Sequence, residues 1–166
     1  MKILITGIGN IGKSTLRERV ANKFRGKIVQ IDMDYFKHED MPRSNETDLL
    51  VEDVHGLERN PEQYDQIIYL LPPSNHILLW LKRGWAWFSG GVVDLSDPKG
   101  VNKKYAISNI PIILRILLRN ILLWKKWLLS DLEAIETKYK SKTLIVKDVD
   151  TGVREATNIL RRGGLC

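Results

Sequence analysis

The feature that most constrains this chain is a glycine-rich loop near its start, between a short apolar run and an amphipathic segment. Residues 2–6, Lys-Ile-Leu-Ile-Thr, have the length and composition of a buried strand. The next eight residues, Gly-Ile-Gly-Asn-Ile-Gly-Lys-Ser at 7–14, fit the pattern G-x-x-x-x-G-K-[ST]. A helix is expected over 14–24, where apolar residues fall on one helical face. A strand, a glycine loop and a helix in this order predict a cradle for a polyphosphate.

Each residue type in the loop has a physical role in holding phosphate. Glycines allow backbone N–H groups to turn inward around an anion, and the helix that follows directs the positive end of its dipole at it. Lys13 would bring its charge to the β and γ phosphates, and the Ser14 hydroxyl would ligate Mg²⁺. The predicted nucleotide contacts are Gly7, Gly9, Asn10, Ile11, Gly12, Lys13, Ser14 and Thr15.

The same glycines leave a second interpretation open. Gly7, Gly9 and Gly12 also fit the dinucleotide fingerprint G-x-G-x-x-G, and Asp32 follows at about the distance of a ribose-binding carboxylate, roughly 20 residues on. The Lys-Ser pair that ends the loop favours the triphosphate hypothesis, because a triphosphate–Mg²⁺ site requires both side chains and a dinucleotide loop does not. A glycine turn without any ligand is the third interpretation.

Strands alternate with helices along the rest of the chain. Further strands are predicted at 27–31, 49–52, 67–71 and 143–147, and helices at about 74–88, 110–129, from 130 onward and around 153–160. The helix start at 130 is expected because Ser130 and Glu133 have capping-box spacing. This alternation is typical of a parallel sheet with helices on both faces. We therefore predict a single three-layer α/β domain over 1–166 with a five-stranded parallel sheet. Because the loop at 7–14 resembles that of P-loop NTPases, the resemblance implies the strand order of that fold, 2-3-1-4-5. Residues 75–129 are expected to form a helical, lid-bearing insertion between the fourth and fifth strands.

Acidic residues at the ends of the second and third strands are candidates for the chemistry. Asp32 and Asp34 follow the second strand, at the rim where ligands of open parallel sheets bind. Either carboxylate could orient an attacking hydroxyl or accept its proton, and either could equally cap a loop. Asp53 ends the third strand and is a candidate to hold Mg²⁺ through water.

A GTPase is a weaker alternative. Residues 53–56, Asp-Val-His-Gly, fit D-x-x-G, a pattern with only two fixed positions. A guanine-reading N-K-x-D segment should follow the fourth or fifth strand, but residues 72–75 and 147–150 do not contain it. The sequence therefore gives a GTPase little support.

Three segments outside the glycine loop carry a resemblance to known proteins. Residues 31–36, Ile-Asp-Met-Asp-Tyr-Phe, are similar to L-D-x-x-F-W and to the D-D-F-F-K of riboside kinases. Residues 65–70 are similar to A-D-x-I-I-F-L, and residues 80–83 to R-V-L-K-R. Together with the loop, they resemble P-loop nucleoside and nucleotide kinases, especially the adenylate-kinase-related proteins described as topology-modulation proteins. The chain departs from that pattern at 71–73, Leu-Pro-Pro, where the family has an acid and one proline.

The resemblance implies ATP and Mg²⁺ binding and phosphoryl transfer to a small nucleoside- or nucleotide-like acceptor. Kinases of this fold close a basic lid over the phosphates, and the candidates for it are Arg83, Arg115 and Arg119. Lys13 and the two acids after the second strand complete the predicted catalytic set. A nucleotide-gated binding module, which binds ATP without transferring phosphate, is the alternative from another class.

Composition sets wider limits on partners. The net charge of +6 suits any anionic partner, including nucleotides, acidic lipid and nucleic acid, although no motif that reads nucleic acid is present. The one cysteine, Cys166, excludes an internal disulfide and fits a reducing cytoplasm. No uncharged apolar run reaches the roughly 18 residues of a membrane span. All five tryptophans lie in two basic segments, which suits internal packing, peripheral membrane contact or a homodimer interface.

Overall fold

In a computed structural model, the chain forms two compact units. One unit comprises Met1–Pro73 with Leu128–Cys166, and the other is Ser74–Trp127. The structure describes residues 1–9, 11–24, 27–32, 48–53, 56–58, 61–88 and 110–165. Within these ranges, it describes only the backbone at 49, 83–88, 110–113, 116, 117 and 120.

The first unit is built on a sheet of five parallel strands. Their bounds are Lys2–Thr6 (β1), Ile28–Asp32 (β2), Asp48–Glu52 (β3), Gln66–Leu70 (β4) and Thr143–Val146 (β5). The order across the sheet is β2-β3-β1-β4-β5, and each neighbouring pair is parallel. The predicted α/β class and strand order are confirmed, and the predicted bounds of each strand are within one residue of the observed ones.

Helices account for most of the remaining described chain. Their bounds are Lys13–Lys23 (α1), His76–Phe88 (α2), Ile110–Ala134 (α3) and Val149–Arg162 (α4), with a π-helical turn at Ile135–Tyr139 and 3₁₀ turns at Pro61–Gln63 and Lys140–Lys142. The predicted helix start at Ser130 is wrong, because α3 continues through it to Ala134. Neither glycine nor proline occurs between 121 and 134, so the backbone has no residue that would end the helix before the capping-box pair.

The central strands present apolar side chains to both faces of the sheet. Ile3 and Ile5 point to one side, where α1 and α4 pack against each other and against the strands. Leu4 and Ile67 point to the opposite side and form a buried cluster with Tyr139 of the π-helical turn. Helical segments therefore cover both faces of the sheet within the first unit, as the alternation of elements predicts.

The sheet reverses its direction of growth between β1 and β4. The chain passes from β1 to β2 and β3 on one side and then to β4 and β5 on the other. In open α/β sheets, ligands bind at the carboxyl ends of the strands at such a reversal. The glycine loop follows β1 at this point. It therefore lies in the part of the fold where ligands of open α/β sheets bind.

The length and hydropathy of the described helices bear on whether the chain could span a membrane. None of them is both long enough and apolar enough to cross a lipid bilayer. This finding agrees with the absence of a long apolar run in the sequence.

Candidate functional site

The glycine loop adopts backbone conformations that glycine takes easily and other residues do not. Gly7 has φ 134° and Gly12 has φ 97°. A Cβ atom on Gly7 would lie 2.5 Å from the carbonyl oxygen of Leu70, at the end of β4. Gly12 directly precedes α1, and its carbonyl accepts a hydrogen bond of 2.9 Å from the N–H of Leu16. The loop thus runs tightly against β4 before it turns into the helix.

Lys13, the first residue of α1, is folded into the loop. Its side chain is only 4% exposed, and its ammonium Nζ donates a hydrogen bond of 2.9 Å to the carbonyl oxygen of Ile8. The positive charge therefore lies at the N-terminus of a helix, where the helix dipole also favours an anion. This concentration of positive potential is suited to a phosphate chain.

Ser14 is bonded to a carboxylate on the neighbouring strand. Its hydroxyl donates a hydrogen bond of 2.8 Å to Oε1 of Glu52, the last residue of β3. Burial raises the pKa of Glu52 above its ordinary value of 4.5, although the nearby charge of Lys13 acts in the opposite direction. A hydroxyl and a carboxylate at one point form an oxygen donor pair, which is the ligand type that Mg²⁺ prefers.

Arg17 links α1 to two strands through buried ion pairs. Its Nη1 lies 3.2 Å from Oδ2 of Asp32, and its Nε lies 3.6 Å from Oε2 of Glu52. All three residues are buried. With Lys13, the cluster contains two cations and two carboxylates, so its buried charges are balanced in number.

The segment after β5 borders the glycine loop. A Cβ atom on Gly12 would lie 2.7 Å from Cγ2 of Val149, the first residue of α4. Asp148 caps α4 by accepting a hydrogen bond of 2.7 Å from the N–H of Thr151, and this bond lowers the pKa of Asp148. The N-termini of α1 and α4 therefore approach the same loop.

Asp53, predicted to hold Mg²⁺, lies at the same end of β3 as Glu52 but points to the other side of the sheet. It is buried, and its backbone N–H donates a hydrogen bond of 3.1 Å to the carbonyl of Ile5. Burial raises the pKa of Tyr64 to about 12, and the charge of Asp53 adds to this shift. The structure thus brings Glu52, rather than Asp53, to Ser14. A metal role for Asp53 stays a prediction.

The other predicted site residues divide by how far the structure describes them. Asn10, Asp34 and the side chain of Arg83 lie outside the described residues. Arg115 and Arg119 are exposed on α3, in the second unit. Within the loop, Ile11 is buried, Gly9 lies in a turn and Thr15 is exposed. The roles of the arginines in phosphate binding stay predictions.

Sequence reasoning missed two members of the buried cluster, Arg17 and Glu52. Arg17 follows Lys13 by four residues, so both lie on one face of α1. Glu52 is the register partner of Asp32 in the parallel pair β2–β3, which places both carboxylates on the same side of the sheet. The register of β2 against β3 identifies Glu52, and the sequence alone does not supply that register.

The oxygen donors beside the glycine loop could serve a metal ion that arrives with a nucleotide. Among the described residues, no group of three or more His, Cys, Asp or Glu side chains could hold a metal. Protein-bound Mg²⁺ in nucleotide sites usually takes one or two protein oxygens and completes its shell with phosphate and water. Ser14 and Glu52 supply that number of oxygen donors.

Comparison with protein-family models finds no match, and comparison with curated proteins finds none either.

Proposed function

We propose that the chain binds ATP with Mg²⁺ at the glycine loop and transfers its γ-phosphoryl group to a small nucleoside- or nucleotide-like acceptor. The observation that carries this proposal is the joint placement of Lys13 and Ser14 at the N-terminus of α1, with Glu52 bonded to Ser14. A lysine, a hydroxyl and a carboxylate at one helix start are the groups that a triphosphate with its metal ion requires.

Each group would have a distinct role in binding. The N–H groups of the loop and the ammonium of Lys13 would bind the β and γ phosphates, and Lys13 already lies against the loop backbone. Ser14 and Glu52 would hold Mg²⁺, directly or through water, and that ion, when bound, offsets the negative charge of the phosphates. Arg17 would keep Glu52 in place through its ion pair.

Strand order supports a triphosphate over a dinucleotide. In dinucleotide-binding folds the second strand lies directly beside the first, so that an acid at its end reaches the ribose. Here β3 lies between β1 and β2, and Asp32 at the end of β2 is paired with Arg17. An NAD-binding function is therefore disfavoured.

Phosphoryl transfer would proceed by in-line displacement. The acceptor hydroxyl oxygen forms a bond to the γ phosphorus while the bond from that phosphorus to the β–γ bridging oxygen breaks, and ADP leaves. The proton of the acceptor passes to a carboxylate at the end of the second strand, Asp32 or Asp34, or to water. Arg83, Arg115 and Arg119 are the candidates to stabilise the transferring group.

One observation favours the alternative, a binding module that holds ATP without transferring phosphate. Asp32 is buried and its carboxylate lies 3.2 Å from the guanidinium of Arg17. An ion-paired carboxylate is a weaker proton acceptor than a solvated one, because the cation lowers the gain from protonation. Under this alternative, the loop binds nucleotide and no acceptor is phosphorylated.

Binding is tested by thermal unfolding with ATP, GTP and NAD, each with and without Mg²⁺. ATP with Mg²⁺ at about 100 times its dissociation constant should add about 2.7 kcal/mol of stability, enough to raise Tm by several degrees. Lys13→Ala should abolish this shift while the apoprotein stays folded, whereas Lys23→Ala, an exposed lysine of the same helix, should keep it. Lys13→Met retains the aliphatic stem and serves as the second variant if Lys13→Ala unfolds. An undiminished ATP shift in the Lys13 variants would overturn the assignment.

Transfer is tested by an acceptor screen. Nucleosides, nucleotides and small alcohols are incubated with ATP and Mg²⁺, and ADP formation is followed for each. Acceptor-dependent ADP formation that is lost in Lys13→Ala supports the kinase. Tight ATP binding with no turnover on any acceptor supports the binding module.

A further inference from the structure

The positive charge of the chain is concentrated in the second unit. Residues 74–127 contain nine basic and two acidic residues, a net charge of +7. The remaining residues contain seventeen basic and eighteen acidic residues, a net charge of −1. The second unit therefore accounts for the basic character of the whole molecule.

A row of leucines is exposed on α3 within this unit. Leu114, Leu118 and Leu122 are 46%, 57% and 75% exposed, respectively. They are spaced four residues apart, so successive side chains are displaced by about 40° around the helix and form a narrow apolar stripe. Leu78 and Leu81 of α2 are also about half exposed, at 49% and 51%. A contiguous row of exposed leucines is typical of a surface that contacts a partner.

Basic side chains border the leucine stripe. Arg115, Arg119 and Lys126 are exposed and fall within about 40° of one another, immediately beside the stripe. Lys125 is also exposed, and its Nζ lies 5.7 Å from the ring centroid of Trp124. No acidic residue occurs between 110 and 130. The stripe and the basic row together give α3 the composition of a helix that lies in a membrane interface.

We infer that this face of α3 docks on an anionic lipid surface. Leucines enter the boundary between headgroups and acyl chains, and the basic row meets acidic headgroups. Charge complementarity selects this partner. A second copy of the chain would bring another unit of net charge +7 against the first, and nucleic acid would pair with the arginines and lysines but would leave the leucines in water.

Vesicle sedimentation tests the inference on the intact chain. The protein is mixed with vesicles of phosphatidylcholine alone, or with vesicles of phosphatidylcholine and phosphatidylglycerol. It should pellet only with the second kind, and added salt should weaken binding because the charges are screened. All five tryptophans lie in residues 74–127, so a blue shift of tryptophan emission on binding would place that unit at the lipid.

Two double variants separate the apolar and electrostatic contributions. Leu118→Gln with Leu122→Gln keeps the charge and should weaken binding to anionic vesicles by about tenfold, since two leucines no longer enter the lipid. Lys125→Glu with Lys126→Glu should weaken it by about tenfold or more. Lys138→Glu with Lys147→Glu makes the same charge change at exposed lysines of the first unit and should leave binding near that of the wild type. Unchanged Tm values show that the variants are folded.

Three results would overturn the inference. The first is failure to pellet with anionic vesicles. The second is wild-type vesicle binding by the leucine variant, which would mean that charge alone binds. The third is a partner of another class, shown either by a dimer in light scattering that the leucine substitutions dissociate, or by binding of a DNA or RNA duplex tighter than vesicle binding and unaffected by those substitutions.

Discussion

Among the described residues of the loop, Gly7 is the one whose identity the geometry restricts most. A Cβ atom there would meet the backbone carbonyl of Leu70, which cannot move aside like a side chain, and the φ of 134° is itself unfavourable for other residues. We expect Gly7→Ala to lower the free energy of unfolding by about 2–4 kcal/mol, from strain and overpacking together. Urea denaturation measures this change.

Gly164→Ala is the matched control for this prediction. Gly164 also has a positive φ, of 99°, but a Cβ atom there would meet nothing within 4 Å. Its substitution therefore adds strain without a clash, and it should cost about 1 kcal/mol. Equal losses in both variants would show that the contact with Leu70 is not tight.

Glu52 is a carboxylate that the apoprotein holds at a cost in stability. Its pKa is raised in the folded protein, chiefly by burial, so as the pH falls the folded state takes up a proton before the unfolded chain does. The contribution of Glu52 to the free energy of unfolding is therefore lowest at pH values above its raised pKa. It increases as the pH falls toward 4.5, the ordinary pKa of a glutamate. Glu52→Gln removes the titration. At neutral pH we expect the Tm of Glu52→Gln to equal or exceed that of the wild type. The difference between the two Tm values should shrink as the pH falls.

The same substitution should impair the proposed function. Without the carboxylate, Glu52→Gln should lose most of the additional Tm shift that Mg²⁺ gives to ATP binding. Glu18→Gln, at an exposed glutamate of α1, is the control and should retain that shift. A full Mg²⁺-dependent shift in Glu52→Gln would remove Glu52 from the metal site.

At the scale of elements, the position of α1 depends on its packing against α4. A Cβ atom on Gly152 of α4 would lie 2.3 Å from Cδ1 of Leu16 of α1. Gly152→Ala should therefore separate the two helices, destabilise the protein and weaken ATP binding, because α1 carries Lys13 and Ser14. Leu16→Val provides space, so the double variant should be more stable than the sum of the single effects predicts, as a double-mutant cycle would show. Strict additivity would contradict this account.

The strands and helices of the first unit were predictable because buried elements have a recognisable pattern of apolar residues in the local sequence. Parallel strands buried on both faces appear as short apolar runs, so residues 2–6 and 67–71 can be identified as strands from the sequence. The glycine loop then fixed the place where β1 meets a helix. The continuation of α3 through Ser130 was not predictable in this way, because a capping-box pair has the same spacing inside a helix as at its start.

The buried ion cluster was only partly predictable, because its contacts join elements far apart in sequence. Lys13 and Ser14 follow from a local motif. Arg17 belongs to a helix whose polar residues are usually solvated, and its burial follows from the carboxylates that two strands bring to it. Glu52 and Asp53 are adjacent acids, and only the strand register determines which one reaches α1.

At the scale of the whole molecule, nucleotide binding and lipid docking are proposed for residues of different units. The nucleotide groups Lys13 and Ser14 belong to the first unit, and the leucine stripe belongs to the second. We therefore expect Lys13→Ala to pellet with anionic vesicles like the wild type, and the Leu118→Gln, Leu122→Gln variant to keep its ATP shift. Sedimentation and thermal unfolding of both variants measure this independence. Loss of both activities in either variant would show that the two are coupled.

The unequal division of charge, +7 in one unit and −1 in the other, also affects how the molecule approaches a partner. A body with charge gathered in one part has an electric dipole moment, and an external field exerts a torque on it. Near an anionic surface the molecule would rotate before contact so that residues 74–127 arrive first. Productive encounters would then outnumber those expected from random orientation, and raising the ionic strength would remove that advantage.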